Sequence, residues 1–310
     1  MYDVDIFVIF QTMLKLFFML ILGYVLFRCH IFDEHTNQKI SALIVNCTSP
    51  LLIISSIAGV ESDNKSIVFL LMGAGVLMYL GFIVVGKIIN RVLRFPKQDW
   101  PVYECMVVFA NTGFMGYPVL ISVFGQESVF YASLLHMAFN LFIYTYAIMC
   151  LTKKSDDKFT FNAKQLLTPG IILLFVAIFI YIFDIQLPGV VLETVNSIGG
   201  LTSPLSMMMI GSSLALYPIK ESLTDWRSYL FAGVRLFVMP FITMLVCRLL
   251  NINSYYANIA IVTNAMPVAS MVLMMATQYN ANKEIVTRNI IVSTLLSVIT
   301  IPVVVATMLI

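Results

Sequence analysis

Residues 109–120 read FANTGFMGYPVL, and residues 261–270 read IVTNAMPVAS. Both lie in stretches otherwise apolar enough to cross a membrane, and both are interrupted. Gly113, Gly116 and Pro118 break the first, and Asn264 and Pro267 break the second. An unpaired backbone group is costly in hydrocarbon, so such breaks survive where they face protein or a water-filled cavity. Two breaks at matching places in two halves of one chain mark the binding site of a transporter.

The rest of the chain agrees. Its 310 residues are 60% hydrophobic and only 11% charged, against about 25% charged in a soluble domain. Mean hydropathy is +0.94. The N-terminus, MYDVD, is acidic and no small-residue cleavage site follows, so the first apolar run reads as a span rather than a signal peptide. A span needs about 20 apolar residues. Ten segments qualify, near 6–27, 38–60, 66–90, 99–125, 127–151, 165–184, 188–217, 228–250, 253–280 and 284–309.

Basic residues orient these spans. Of the 18 lysines and arginines, all but four fall in or beside connections that follow odd-numbered spans. Only Lys65 and Arg248 sit on the other side, and Lys15 and Arg235 lie within spans. The asymmetry is a positive-inside pattern. It places both termini outside the cytoplasm. The most polar connection, TKKSDDKFTFNAKQ at 152–165, leaves five spans on each side. Because five is odd, the second half enters the membrane from the opposite face, giving an inverted repeat. Residues 1–151 and 165–310 form the two halves, with 152–164 as a cytoplasmic linker. A tetrapeptide supports the repeat: Thr48-Ser49-Pro50-Leu51 recurs as Thr202-Ser203-Pro204-Leu205, and Asn111 recurs as Asn264 at almost the same offset.

Proline suits the first turn of a helix, where its missing N–H would be unpaired anyway. Pro118 and Pro267 are therefore expected to start the second half-helices of spans 4 and 9. Each start presents free N–H groups and the positive end of a helix dipole at mid-membrane. Crossed, they make a patch of positive potential that suits a carboxylate. Asn111, Thr112 and Asn264 add polar side chains, and Gly113, Gly116, Tyr117 and Met266 complete the predicted crossing. No Asp or Glu occurs at 109–120 or 261–270, so sodium coupling has no support in the sequence.

The segment ANTGFMGYPVLISVFG, followed by HMAFN at 136–140, resembles the fourth and fifth spans of the auxin efflux carrier family. The segments at 202–218 (TSPLSMMMIGSSLALYP), 235–240 (RLFVMP), 264–279 (NAMPVASMVLMMATQY) and 293–302 (STLLSVITIP) match in the same order. Plant auxin carriers and bacterial malate or malonate carriers belong to that family, and the short central linker is similar to the bacterial members. The resemblance implies an all-α integral membrane fold of ten helices in an inverted five-plus-five repeat with two broken crossover helices, as in bile acid symporters and sodium/proton antiporters. It also implies elevator-type movement of spans 3–5 and 8–10 against a scaffold of spans 1, 2, 6 and 7, and a homodimer. On this reading Asn46, Ser49, Pro50, Ser203, Pro204 and Ser206 of spans 2 and 7 face the site.

Charges at depth usually have partners. Lys15 and Glu193 in the scaffold, and Glu104 and Arg235 in the transport domain, are expected ion pairs. The alternative is that Lys15 or Arg235 lends positive charge to an anion pathway. His136, Asn140 and Tyr144 share one face of span 5 by their spacing, as do Asn289, Ser293 and Ser297 in span 10. Either stripe lines the cavity or bonds neighbouring helices. His136 is a candidate for proton coupling.

The expected function is secondary transport of small organic anions, mono- or dicarboxylates, across the cell membrane. Cation antiport and a non-transporting receptor on the same fold are the alternatives. The five scattered cysteines form no metal or disulfide pattern, and the 19 methionines read as packing. No catalytic constellation, cofactor motif or nucleic-acid partner is expected.

Overall fold

The computed structural model describes residues 6–57, 65–152, 169–216 and 222–309. Among these the chain is helical, without a strand. Six helices are long and apolar enough to cross a membrane: α1 (Ile6–Arg28), α2 (Glu34–Ser56), α3 (Ile67–Val92), α6 (Ser128–Leu151), α10 (Trp226–Leu249) and α13 (Lys283–Met308). Shorter helices fill the remaining apolar stretches. These are α4 (Trp100–Val108), α5 (Thr112–Phe124), α7 (Pro169–Ile182), α8 (Gly189–Gly200), α9 (Thr202–Ala215), α11 (Ser254–Asn264) and α12 (Ser270–Gln278). Most of the linker 152–164 lies outside the described residues.

Single π-turns interrupt α2 at Ile44–Thr48, α6 at Ile143–Ala147 and α10 at Val234–Val238, and another opens α5 at Thr112–Gly116. In three of the four, a proline follows two residues after the turn: Pro50, Pro118 and Pro240. Proline lacks the N–H that would close the preceding turn, and its ring crowds the carbonyl four residues back. A widened turn relieves both effects.

The expectation for the two crossing prolines is met by one and corrected for the other. Pro118 does stand in the first turn of the α-helical part of α5, which begins at Tyr117, but a π-turn over Thr112–Gly116 precedes it. Pro267 lies in extended chain, three residues before α12 starts at Ser270. The expected single span at 188–217 is likewise two helices, parted at Leu201, and α2 starts earlier than expected because the Asp33 side chain accepts the Thr36 N–H at 2.6 Å.

Helix pairs meet at small residues. α1 lies against α9, where a Cβ at Gly23 would sit 1.9 Å from the Met208 carbonyl oxygen, and one at Gly211 would sit 1.8 Å from that of Leu20. Any side chain there would force the two backbones apart. The second half of α2 packs on α7 and α8, α3 packs on α4 and α6, and α10 packs on α11 and α13. Apolar side chains such as Phe18, Phe69, Leu77 and Val92 point outward, as a bilayer solvent requires. Two large apolar clusters form the interior. Ala110 belongs to one and Val268 to the other, so the two clusters abut where the interrupted spans cross.

At one end of the bundle, polar contacts tie separate elements together. Lys65 pairs with Asp184 and donates to the Ile182 carbonyl at 2.6 Å. Gln126 donates to Ser55 Oγ at 2.8 Å and to Asn196 Oδ1 at 3.0 Å. The expected Lys15–Glu193 pair does not form: both side chains are exposed, and no ion pair joins them. Depth along a span does not fix which way a side chain points. The same holds for Glu104 and Arg235, described below.

Candidate functional site

The two interrupted segments cross backbone to backbone. Asn111 N–H donates to the Pro267 carbonyl at 2.8 Å, and Ala269 N–H donates to the Phe109 carbonyl at 3.0 Å. The pair forms an isolated antiparallel bridge between Ala110 and Val268. Each break thus satisfies groups that the other leaves open, which meets the demand for internal pairing within a membrane. Pro267 contributes only its carbonyl, so its missing N–H leaves nothing unpaired. The second break is braced further: Val268 N–H donates to Ser293 Oγ on α13 at 3.3 Å.

From this bridge the chain turns into α5. The Asn111 carbonyl accepts the N–H groups of Met115 and Gly116 at 3.2 and 3.1 Å. The first N–H groups of such a turn have no partner within the helix. The Asn111 side chain is buried, and it makes no hydrogen bond among the described residues. Asn264 differs. Its Nδ2 donates back to the Ala260 carbonyl at 2.8 Å and lies 3.3 Å from the Met78 sulfur. Gly116 lies beneath Met266: a Cβ there would come within 3.3 Å of Met266 Cγ and Thr112 Cγ2. Tyr117 and Pro118 are buried in the body of α5.

Beside the bridge is a crevice lined by Met78, Tyr79, Thr112, Ala132, Leu135, His136, Thr263 and Asn264. It measures about 10 Å³, room for about one water. Three sequence-derived candidates, Thr112, Asn264 and His136, therefore share one cavity wall. Met78, Tyr79 and Thr263 join them without having been expected. Tyr79 could have been found as the one phenol midway along span 3. The ring of His136 stacks on Phe139 at 4.5 Å and meets Tyr117 edge-on at 6.1 Å, and its Nδ1 is buried without a partner.

Other candidates fall elsewhere. Asn46 is exposed, Ser49, Ser203 and Pro204 are half-buried, and Pro50 and Ser206 are buried; none of them lines the crevice. Asn140 also lies outside it, and Gly113 faces His136, whose Nε2 would be 3.9 Å from a Cβ at that position.

Glu104 and Arg235 do not pair. Glu104 is buried on α4 and is satisfied by neutral donors. These are the Tyr146 hydroxyl at 2.7 Å, Asn90 Nδ2 at 3.4 Å and the Cys150 thiol at 3.6 Å. Arg235, in the π-turn of α10, has no exposed surface, and none of its three guanidinium nitrogens has a hydrogen-bond partner among the described residues. No cluster of His, Cys, Asp or Glu suited to a metal ion occurs among the described residues.

Comparison with known proteins now adds to the geometry. A family profile described as "Membrane transport protein" matches residues 8–305. An uncharacterized transporter of Methanocaldococcus jannaschii is 24% identical over 306 residues, covering 94% of this chain and 96% of that protein. An uncharacterized transporter of Methanothermobacter thermautotrophicus is 21% identical over 296 residues, with the same coverage of each. A mouse protein named lysosomal cholesterol signaling protein is 21% identical over 319 residues, covering 93% of this chain but 36% of that protein. The chain belongs to this membrane transport family, the auxin efflux carrier family.

Proposed function

We propose that this family member is a secondary carrier of small organic anions, mono- or dicarboxylates such as malate or auxin-like acids, bound where the two interrupted spans cross. The reading takes ten spans as an inverted repeat, residues 1–151 and 165–310. Spans 3–5 and 8–10 move as an elevator against spans 1, 2, 6 and 7. The protein works as a homodimer in the cell membrane with both termini outside the cytoplasm.

The observation that carries this reading is the backbone bridge between the breaks, with Asn111 N–H on Pro267 and Ala269 N–H on Phe109. It holds a helix start at Thr112 beside the unengaged amide of Asn111 and the hydroxyl of Thr112. A helix start favours an anion by its free N–H groups and dipole. No carboxylate stands within either break to oppose it. In this conformation the crevice is too small for an organic acid. Binding therefore requires the walls to part, as alternating access would do. His136, on the same wall, is the residue we assign to proton coupling.

The test is exchange in proteoliposomes. Vesicles preloaded with unlabelled organic acids should take up labelled malate or indole-3-acetate saturably, and Asn111→Ala at matched protein level should abolish uptake. Absence of exchange across a broad acid panel, with intact protein, would overturn the reading. A sensor is the second reading, supported by the mouse relative whose name denotes signaling. It requires saturable acid binding without exchange.

A further inference from the structure

Among the described residues, Arg235 is a buried guanidinium without a counter-charge, a costly arrangement. Desolvating a charge is tolerated when a partner compensates it. Its side chain has no exposed surface, and none of its nitrogens is bonded among the described residues. The nearest expected partner, Glu104, is occupied by Tyr146, Asn90 and Cys150. The ion pairs among the described residues join Lys65 to Asp184 and Arg288 to Asp225 and Glu284, none of which involves Arg235.

Two features place this charge at the depth of the crossing. Leu236, the next residue, packs in one apolar cluster with Val292 of α13. The residue after Val292 is Ser293, which accepts the N–H of Val268 in the bridge itself. On the other side, Arg235 lies near enough to Tyr79 for the two to interact electrostatically, and Tyr79 lines the crevice with Thr112 and Asn264.

The crossing offers neutral donors and one helix start, a match for one carboxylate. Arg235 is a full charge left over. We propose that Arg235, with Tyr79 at its edge, forms a second anion subsite, so that the ligand carries two acidic groups, one at the crossing and one at the guanidinium. The proposal rests on the crossing being the anion site. An arginine fork is suited to a carboxylate by shape and by charge.

The experiment compares succinate with butyrate, acids of equal length bearing two and one carboxylates, by direct binding to purified protein in nanodiscs. Wild type should bind succinate at least about tenfold more tightly, the scale of one charge-assisted hydrogen bond or more. Arg235→Gln should weaken succinate about ten- to a hundredfold more than it weakens butyrate, erasing the preference. Arg235→Lys should retain part of it. If Arg235→Gln fails to give a monodisperse protein, Arg235→Lys and Tyr79→Phe carry the same comparison, and both should narrow the succinate-to-butyrate ratio. An unchanged ratio in the variants, or a wild type that binds the two acids equally, overturns the second subsite while leaving the crossing as an anion site. A wild type that binds neither acid overturns both.

Discussion

The second break is a weaker copy of the first in sequence, sharing an asparagine and a proline, and its opposite in chemistry. In the first, three residues separate α4 from α5, and the asparagine is the last of them, at the mouth of the new helix with its amide unengaged. In the second, five residues separate α11 from α12, and the asparagine stands before the gap, its amide folded back onto Ala260. The first break engages its backbone N–H groups at Asn111 and Thr112 but leaves the Asn111 side-chain amide unengaged. The second commits its own to structure and is braced from α13 by Ser293. The two breaks thus differ in how their asparagines are used, one amide unengaged and the other bonded within its own helix.

The contrast can be broken by exchanging the roles in experiment. Asn111→Ala should cost the most function. Loss of a hydrogen bond to a charged ligand, about 1.5–3 kcal/mol, predicts a fall in exchange of at least about tenfold with unfolding temperature near wild type. Asn264→Ala should show the reverse, a lowered unfolding temperature with a smaller loss of exchange. Equal losses of exchange in the two variants would end the distinction.

The prolines sharpen it. Pro267→Ala places a new N–H in a buried bridge, and an unsatisfied donor costs about 1–3 kcal/mol, so denaturation should shift measurably. Pro118→Ala merely allows the widened turn of α5 to close, and should leave the break and most of the exchange in place. Ser293→Ala, which orphans Val268 N–H, should destabilise within the same range, and Ser293→Thr should recover most of that loss. The smallest effect is expected at Gly116→Ala. Its Cβ presses on Met266, but alanine favours the helix by about 1 kcal/mol over glycine. Stability should hardly move while exchange slows.

Sequence alone located both interruptions, because glycine, proline and asparagine clustered within an apolar stretch are poorly suited to an unbroken helix. It also named Asn111, Thr112, Asn264 and His136, which the structure gathers at one crossing. It misjudged where the second helix resumes. The rule that proline opens a helix holds for Pro118, in the first α-helical turn behind a widened one, but not for Pro267, which lies in extended chain before Ser270. Pairing charges by depth failed for Lys15 and Arg235 because rotation about a helix axis leaves no trace in spacing along the chain. Tyr79 went unremarked because a phenol in an aromatic-rich span looks like packing until its neighbours are known.

The crevice of about 10 Å³ has a consequence for time as well as for space. A ligand larger than a water can enter only during an opening of the walls, so the closed form takes no part in capture. The apparent affinity is then the intrinsic one diminished by the fraction of molecules open at any instant. In a stopped-flow trace, the observed rate should become independent of acid concentration at high concentration. The plateau is the frequency with which the protein itself opens, a clock that no amount of ligand can hurry.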